Sequence, residues 1–311
     1  MENDKYNTKV TDEDRANGVK DEYGCIYSAD GKMLLKGSDS LENYIVKSGT
    51  KVICDRVFLC CKFLESIVIP DSVTKIGHSA FAGCTSLQGV VIPDSVTSIG
   101  AEAFRGCKSI QSIVVPNSVT EIYGRPFGFG TEIISHSDRF IVKDGFFIDL
   151  EERRLIQCLK NDKEHIVIPN SIAVIDGCAF SGCTKLQSIV IPNSVTSIAI
   201  YAFERCESLQ SIVIPNSVTE IGNAPFLNCE SLRSIVISNS VTKIGDYFSA
   251  GCTSLQSIVI PNSVTSIGWF AFERCVSLQS IVVPKGKRKY FEGILDEEYH
   301  HLLKEEDFSE L

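Results

Sequence analysis

The stretch Leu209-Gln-Ser-Ile-Val-Ile-Pro-Asn-Ser-Val-Thr-Glu-Ile-Gly222, followed by Phe226 and Cys229, restarts at Leu232, 23 residues further on. The prolines keep the same count: Pro70, Pro93 and Pro116, then Pro169, Pro192, Pro215, Pro261 and Pro284. Their steps are 23 residues, except for one of 53 after Pro116 and one of 46 after Pro215, where Ser238 stands at the missing proline's place. A fixed period of this size marks a stacked-repeat architecture.

With the leucine as position 1, apolar residues fall at 1, 4, 6, 10, 13, 18 and 21. Positions 4 and 6, such as Ile212 and Ile214, alternate with outward residues, so Ser-Ile-Val-Ile reads as a short strand. Proline at 7 and Asn or Asp at 8 end it and turn the chain. Glycine at 14 suits a tight bend, and the Ala-Phe pair at 17 and 18 reads as one loose helical turn. A 23-residue coil cannot bury enough surface to stand alone; neighbours must cover its faces and pair its strand edges. The expected fold is a β-rich solenoid, α/β in a minor part.

The stretch I-x-I-P-x-x-V-x-x-I-G followed by A-F-x-x-C-x-x-L resembles the BspA-like (Treponema-type) leucine-rich repeat of bacterial surface proteins. The likeness spans about residues 44–284. It implies a right-handed leucine-rich-repeat coil and a non-catalytic protein-binding module, placed at the cell surface or secreted and engaging host or extracellular-matrix proteins in adhesion. The alternative is an intracellular structural scaffold. The N-terminus is polar, with no apolar signal core in Met1 to Asp14, and cysteines that read as free thiols suit a reducing compartment.

Outside the repeat, Phe140-Ile-Val-Lys-Asp-Gly-Phe-Phe-Ile-Asp-Leu150 reads as strand, turn, strand, and Val19 to Tyr27 with Lys32 to Leu35 reads alike. An offset of 122 residues sets Ile26 on Ile148 and Leu34 on Ile156. The expected organisation is a polar tail (1–16), a β-hairpin cap (17–43), a first repeat block (44–135), an inserted β-hairpin (136–165), a second block (166–284) and a helical C-terminal cap (285–311). That helix is read from Phe291, Ile294, Leu295, Tyr299, Leu302 and Leu303. The run Lys285, Lys287, Arg288 and Lys289 reads as a solvated turn.

Across 311 residues, 30 basic and 39 acidic side chains leave a formal charge of −9, which argues against a nucleic-acid partner. No apolar run approaches a membrane span of ~20 residues. His78, His136, His165, His300 and His301 form no H-E-x-x-H, and there is no G-x-S-x-G. The glycine-rich Gly124 to Gly130 occupies a coil corner rather than a phosphate loop. No catalytic residue, cofactor or metal is expected. Of 13 cysteines, Cys61, Cys84, Cys107, Cys183, Cys206, Cys229, Cys252 and Cys275 share position 21. A straight column does not converge as zinc ligands must and reads as buried thiols acting as small hydrophobes. Cys25, Cys54, Cys60, Cys158 and Cys178 lie outside it, with Cys60 turned away from Cys61.

Two surfaces are candidates for binding. Position 5 faces out and is always valine: Val68, Val91, Val114, Val167, Val190, Val213, Val236, Val259 and Val282. Serine at 3 and Asn or Asp at 8 border it. An extended apolar strip marks an interaction site, although valine is also a favoured strand residue and duplicated coils repeat their residues. The second candidate is Tyr201, Tyr247 and Phe270 at position 16, with Trp269 at 15. Aromatics are enriched in binding patches, and they also seal corners by stacking.

Overall fold

The strand read at Ser-Ile-Val is present in the valine coils, apart from the one at Val91, in a computed structural model that describes residues 7–307. The chain divides into two compact units, one ending at Leu150 and the other beginning at Glu151. In the second, Ser211–Val213, Ser234–Val236, Ser257–Val259 and Ser280–Pro284 run parallel in one register, with Ile212, Ile235, Ile258 and Ile281 side by side. His165–Val167 pairs with Ser188–Val190 in the same way. In the first unit, Asn43–Ile45 pairs with Ser66–Val68, and Ser112–Val115 with Glu132–Ser135. The repeat sets this register, because a slip of one residue would turn every isoleucine out to water.

The structure adds a second strand at positions 12 and 13. Met33–Lys36, Val52–Ile53, Lys75–Ile76, Ser98–Ile99 and Glu121–Ile122 form a parallel ladder in the first unit. Arg154–Cys158, Val174–Ile175, Ser197–Ile198 and Glu220–Ile221 do so in the second. Two residues per coil are too few to show an alternation, so the sequence pattern does not reveal them.

The Ala-Phe corner is not a helical turn. Ser79, Cys178, Tyr201 and Phe270 at position 16, and Gly83, Arg205, Asn228 and Arg274 at position 20, take left-handed φ of 52–76°. These two reversals aim alternate N–H groups at the next coil. Tyr201, Phe203 and Arg205 donate to the carbonyls of Asn223, Pro225 and Leu227 at 3.1, 2.8 and 2.8 Å. Three inter-coil bonds offset the cost of a left-handed conformation in residues other than glycine. The glycine at 14 serves packing rather than bending. A Cβ on Gly77, Gly100, Gly222 or Gly268 would lie 2.4–2.6 Å from backbone of the preceding coil.

Inside, position 18 builds an aromatic column. Phe58, Phe81 and Phe104 stack at 5.3 and 5.2 Å, and Phe180, Phe203 and Phe226 at 5.1 and 5.7 Å. In the following coil the ring moves to position 17 as Phe248 and meets Phe226 edge-on, at 82°. Buried Ser249 takes position 18 there.

The caps differ in part from the expectation. Val19–Lys20 and Ile26–Tyr27 pair antiparallel, as do Phe140–Lys143 and Phe146–Asp149. The polar stretch before residue 17 carries a short helix, Asp12–Ala16, capped by Thr11; residues 1–6 lie outside the described part. At the C-terminus there is no single helix. Helix Arg288–Glu292 and the 3-10 turn Glu297–Leu302 lead into a strand, Leu303–Glu306, that pairs parallel with Ser280–Pro284. The open edge of the last coil supplies unpaired N–H and C=O groups that a strand satisfies and a helix does not. Phe291, Leu295 and Leu303 are buried, and Tyr299 meets Phe272 edge-on at 5.8 Å. Residues 308–311 of the expected cap lie outside the described part.

Candidate protein-binding face

Position 5 sits between two inward isoleucines, so pleating throws its side chain outward. Ile212 is 2% exposed and Val213 is 61% exposed. Val68, Val91 and Val114 in the first unit are exposed, and Val167, Val190, Val213 and Val236 in the second; Val259 is half-buried. Val282 departs from the expectation. It is 5% exposed, because the C-terminal segment returns beside it and sets Lys304 opposite it in the sheet. Val282 therefore belongs to the cap.

Two residues extend the apolar face of the first unit beyond the repeated valines. Ile45 stands beside Val68 and Ile134 beside Val114, both exposed. Ile45 lies 23 residues before Val68 and was legible at that spacing. Ile134 lies only 20 after Val114, off the period. At Val91 no strand forms. Gly89 and Val90 replace the usual Ser and Ile, Val90 is only half-buried, and Val91 is 80% exposed. A groove of about 650 Å³ opens there between residues 88–94 and 111–116.

Small polar groups border the valines. The Ser280 hydroxyl donates to the Ser257 hydroxyl at 3.0 Å, and His165 Nδ1 lies 2.8 Å from the Ser188 hydroxyl. The position-8 side chains Asp71, Asp94, Asn117, Asn170, Asn193, Asn216, Asn239 and Asn262 are all exposed. The face thus offers methyl groups at its centre and amide or carboxylate groups at its rim, which suits a polypeptide partner.

The aromatic candidates are also exposed, Trp269 most of all at 78%. Tyr247 and Phe270 stack at 5.4 Å and 25°, so their faces are spent largely on each other. The Trp269 backbone N–H donates to Asp246 Oδ1 at 2.9 Å.

The cysteine column is buried along its length. Thiols of Cys84, Cys107, Cys206, Cys229 and Cys252 donate to the carbonyls of Phe58, Phe81, Phe180, Phe203 and Phe226 at 3.0–3.3 Å. Burial pushes the Cys107 and Cys275 thiols up to about 12; burial, followed by the Asp39 carboxylate, does the same at Cys61. Such thiols are neither nucleophiles nor metal ligands at neutral pH. Cys60 is exposed, turned away from buried Cys61. Among the described residues no three His, Cys, Asp or Glu side chains gather as a metal site. The glycine-rich stretch at 124–130 is a coil corner. Phe127 fills the core, and buried Arg125 lies over the Phe129 ring at 3.6 Å.

A profile of the BspA-type leucine-rich repeat region matches residues 31–137, 157–279 and 220–297. The chain belongs to the BspA-type leucine-rich repeat family. A leucine-rich repeat protein of Eubacterium ventriosum shares the fold with a TM-score of 0.67 at 22% identity, over 83% of this chain and 81% of its own. A leucine-rich cell surface protein of Faecalibacterium prausnitzii has a TM-score of 0.52 at 27% identity, over 89% and 97%. The pneumococcal vaccine antigen PcpA has 0.55 at 18%, over 90% and 80%. No curated relative matches. The BspA-type solenoid is a repeat scaffold for protein interaction, and among the described residues no helix is long and apolar enough to cross a membrane.

Proposed function

We propose that this chain is a non-catalytic adhesion module that binds host or neighbouring-cell proteins at a bacterial surface through its outward valines. The single observation that carries this is the run of exposed position-5 valines on paired strands, rimmed by amides and hydroxyls. Monomeric proteins seldom leave so regular an apolar strip bare. The surface setting draws on the Faecalibacterium cell surface protein, similar along nearly its whole length. A pull-down from serum and extracellular-matrix extracts, followed by hydrogen exchange on the purified complex, tests it. Binding through this face slows exchange in Ser188–Val190, Ser211–Val213 and Ser234–Val236. Protection confined to the corner around Tyr201, Tyr247 and Trp269 would move the site there.

A second reading, an intracellular scaffold, is favoured by the column of buried thiols, which an oxidising compartment would put at risk during folding. It uses the same face with a cytoplasmic partner, and fractionation of the native host separates the two.

A further inference from the structure

The coil that begins at Leu232 breaks the repeat where the other eight coils with an outward valine carry proline. Ser238 occupies position 7, and its backbone still makes the proline coils' turn: the Val241 N–H donates to the Ser238 carbonyl at 3.2 Å, as Val218 does to Pro215 at 3.0 Å. The serine therefore adds polar groups without changing the path. It is 8% exposed, and its hydroxyl is buried with no hydrogen-bond partner. Its backbone N–H, which proline would lack, makes no bond to another described residue.

Ser238 lines a groove of about 450 Å³ that runs between Val213, Val236 and Val259 on one side and Asn193, Asn216 and Asn239 on the other. Ser194 and Ser217, whose hydroxyls are also buried and unmet, follow the rim amides Asn193 and Asn216 in sequence but do not line the groove. At the same position 9 in other coils, Ser95, Ser118 and Ser263 donate to the valine carbonyl of the coil before at 2.6–2.8 Å. Position 9 thus faces the neighbouring coil, and of the three unmet serines Ser238 is the one that lines the groove. A buried polar group without a partner is rare enough to need a reason.

We infer that this groove binds an uncharged, extended peptide segment of a partner protein, with Ser238 as the anchor that donates to a peptide carbonyl. The lining contains no charged side chain in a chain of net charge −9, so an ionic ligand has nothing to pair with. Amides in register offer a donor and an acceptor at each coil, which matches a peptide group, and the valine methyls take small apolar side chains. No aromatic ring lines the groove to hold the face of a sugar. The inference rests on the proposed function and names the partner's chemistry at one part of the face.

The test is a displayed library of unstructured heptapeptides selected on the full chain. The best peptides are then measured against Ser238→Pro, which restores the repeat's own residue and keeps the fold, and against Ser238→Ala, which removes only the hydroxyl. Selected peptides should be uncharged and weaken about tenfold on Ser238→Pro, and less on Ser238→Ala. Equal binding to parent and Ser238→Pro would overturn the inference. So would failure to select any peptide above background, or Ser238-dependent binding of neutral oligosaccharides in place of peptides. A captured protein partner that is lost on Val190, Val213 and Val236→Lys yet unaffected by Ser238→Pro keeps the proposed function and removes this anchor alone.

Discussion

At position 21 a thiol does the work of a small hydrophobe with one proton to place. Cys107 gives that proton to the Phe81 carbonyl at 3.1 Å, and burial holds the group up near 12 from an ordinary 9.0. A raised value in the fold means stability that is full below about pH 9 and lost as pH rises toward about 12, at about 1.4 kcal/mol per pH unit for each such thiol. Cys107→Ala should therefore flatten the alkaline arm of the stability–pH curve by one proton; an unchanged slope would mean that the thiol is not buried. Thiol titration at neutral pH should label Cys60 quickly and the column only after denaturation. Eight fast-reacting groups in the native protein would contradict the packing. The same logic separates neighbours on a strand. Ile212→Asp buries an unpaired carboxylate and should cost about 4 kcal/mol or more, whereas Val213→Asp, 61% exposed, should cost under about 1 kcal/mol. Equal losses in urea unfolding would invert the inward and outward assignment.

The strand at position 4 was legible in the sequence because Ile-x-Ile alternates and proline stops it; the corner at 16–20 was not. Ala-Phe carries no sign that Tyr201 and Arg205 will take left-handed φ, since the bonds that hold them there go to Asn223 and Leu227 in another coil. The C-terminal cap failed for a related reason. Phe291, Leu295 and Leu303 were correctly placed inside, but their helical spacing could not show that the edge of Ser280–Pro284 needs a strand. That strand ends in Lys304, Glu305 and Glu306, a charged rim of the kind that discourages further pairing. Deleting residues 303–311 should lower Tm by several degrees and cause concentration-dependent self-association in sedimentation runs. A monomer with the parent's Tm would show that the last coil needs no cover.

Across the whole molecule, periodicity made the solenoid legible and hid what is particular to it. Coils that repeat Ser-Ile-Val-Ile-Pro-Asn say where a face lies, not which part of it binds, so the sequence nominated nine equivalent valines. Only three-dimensional neighbours remove Val282, add the off-period Ile134, and open the backbone at Val91. The claim that the outward valines bind a protein partner is tested most directly by changing Val190, Val213 and Val236 to Lys together. Affinity for the captured partner and circular dichroism are then measured on both proteins. All three side chains are exposed, so the spectrum and Tm should stay those of the parent while binding falls by at least about a hundredfold, as charge replaces three apolar contacts. A folded triple variant that binds as tightly as the parent would contradict the account.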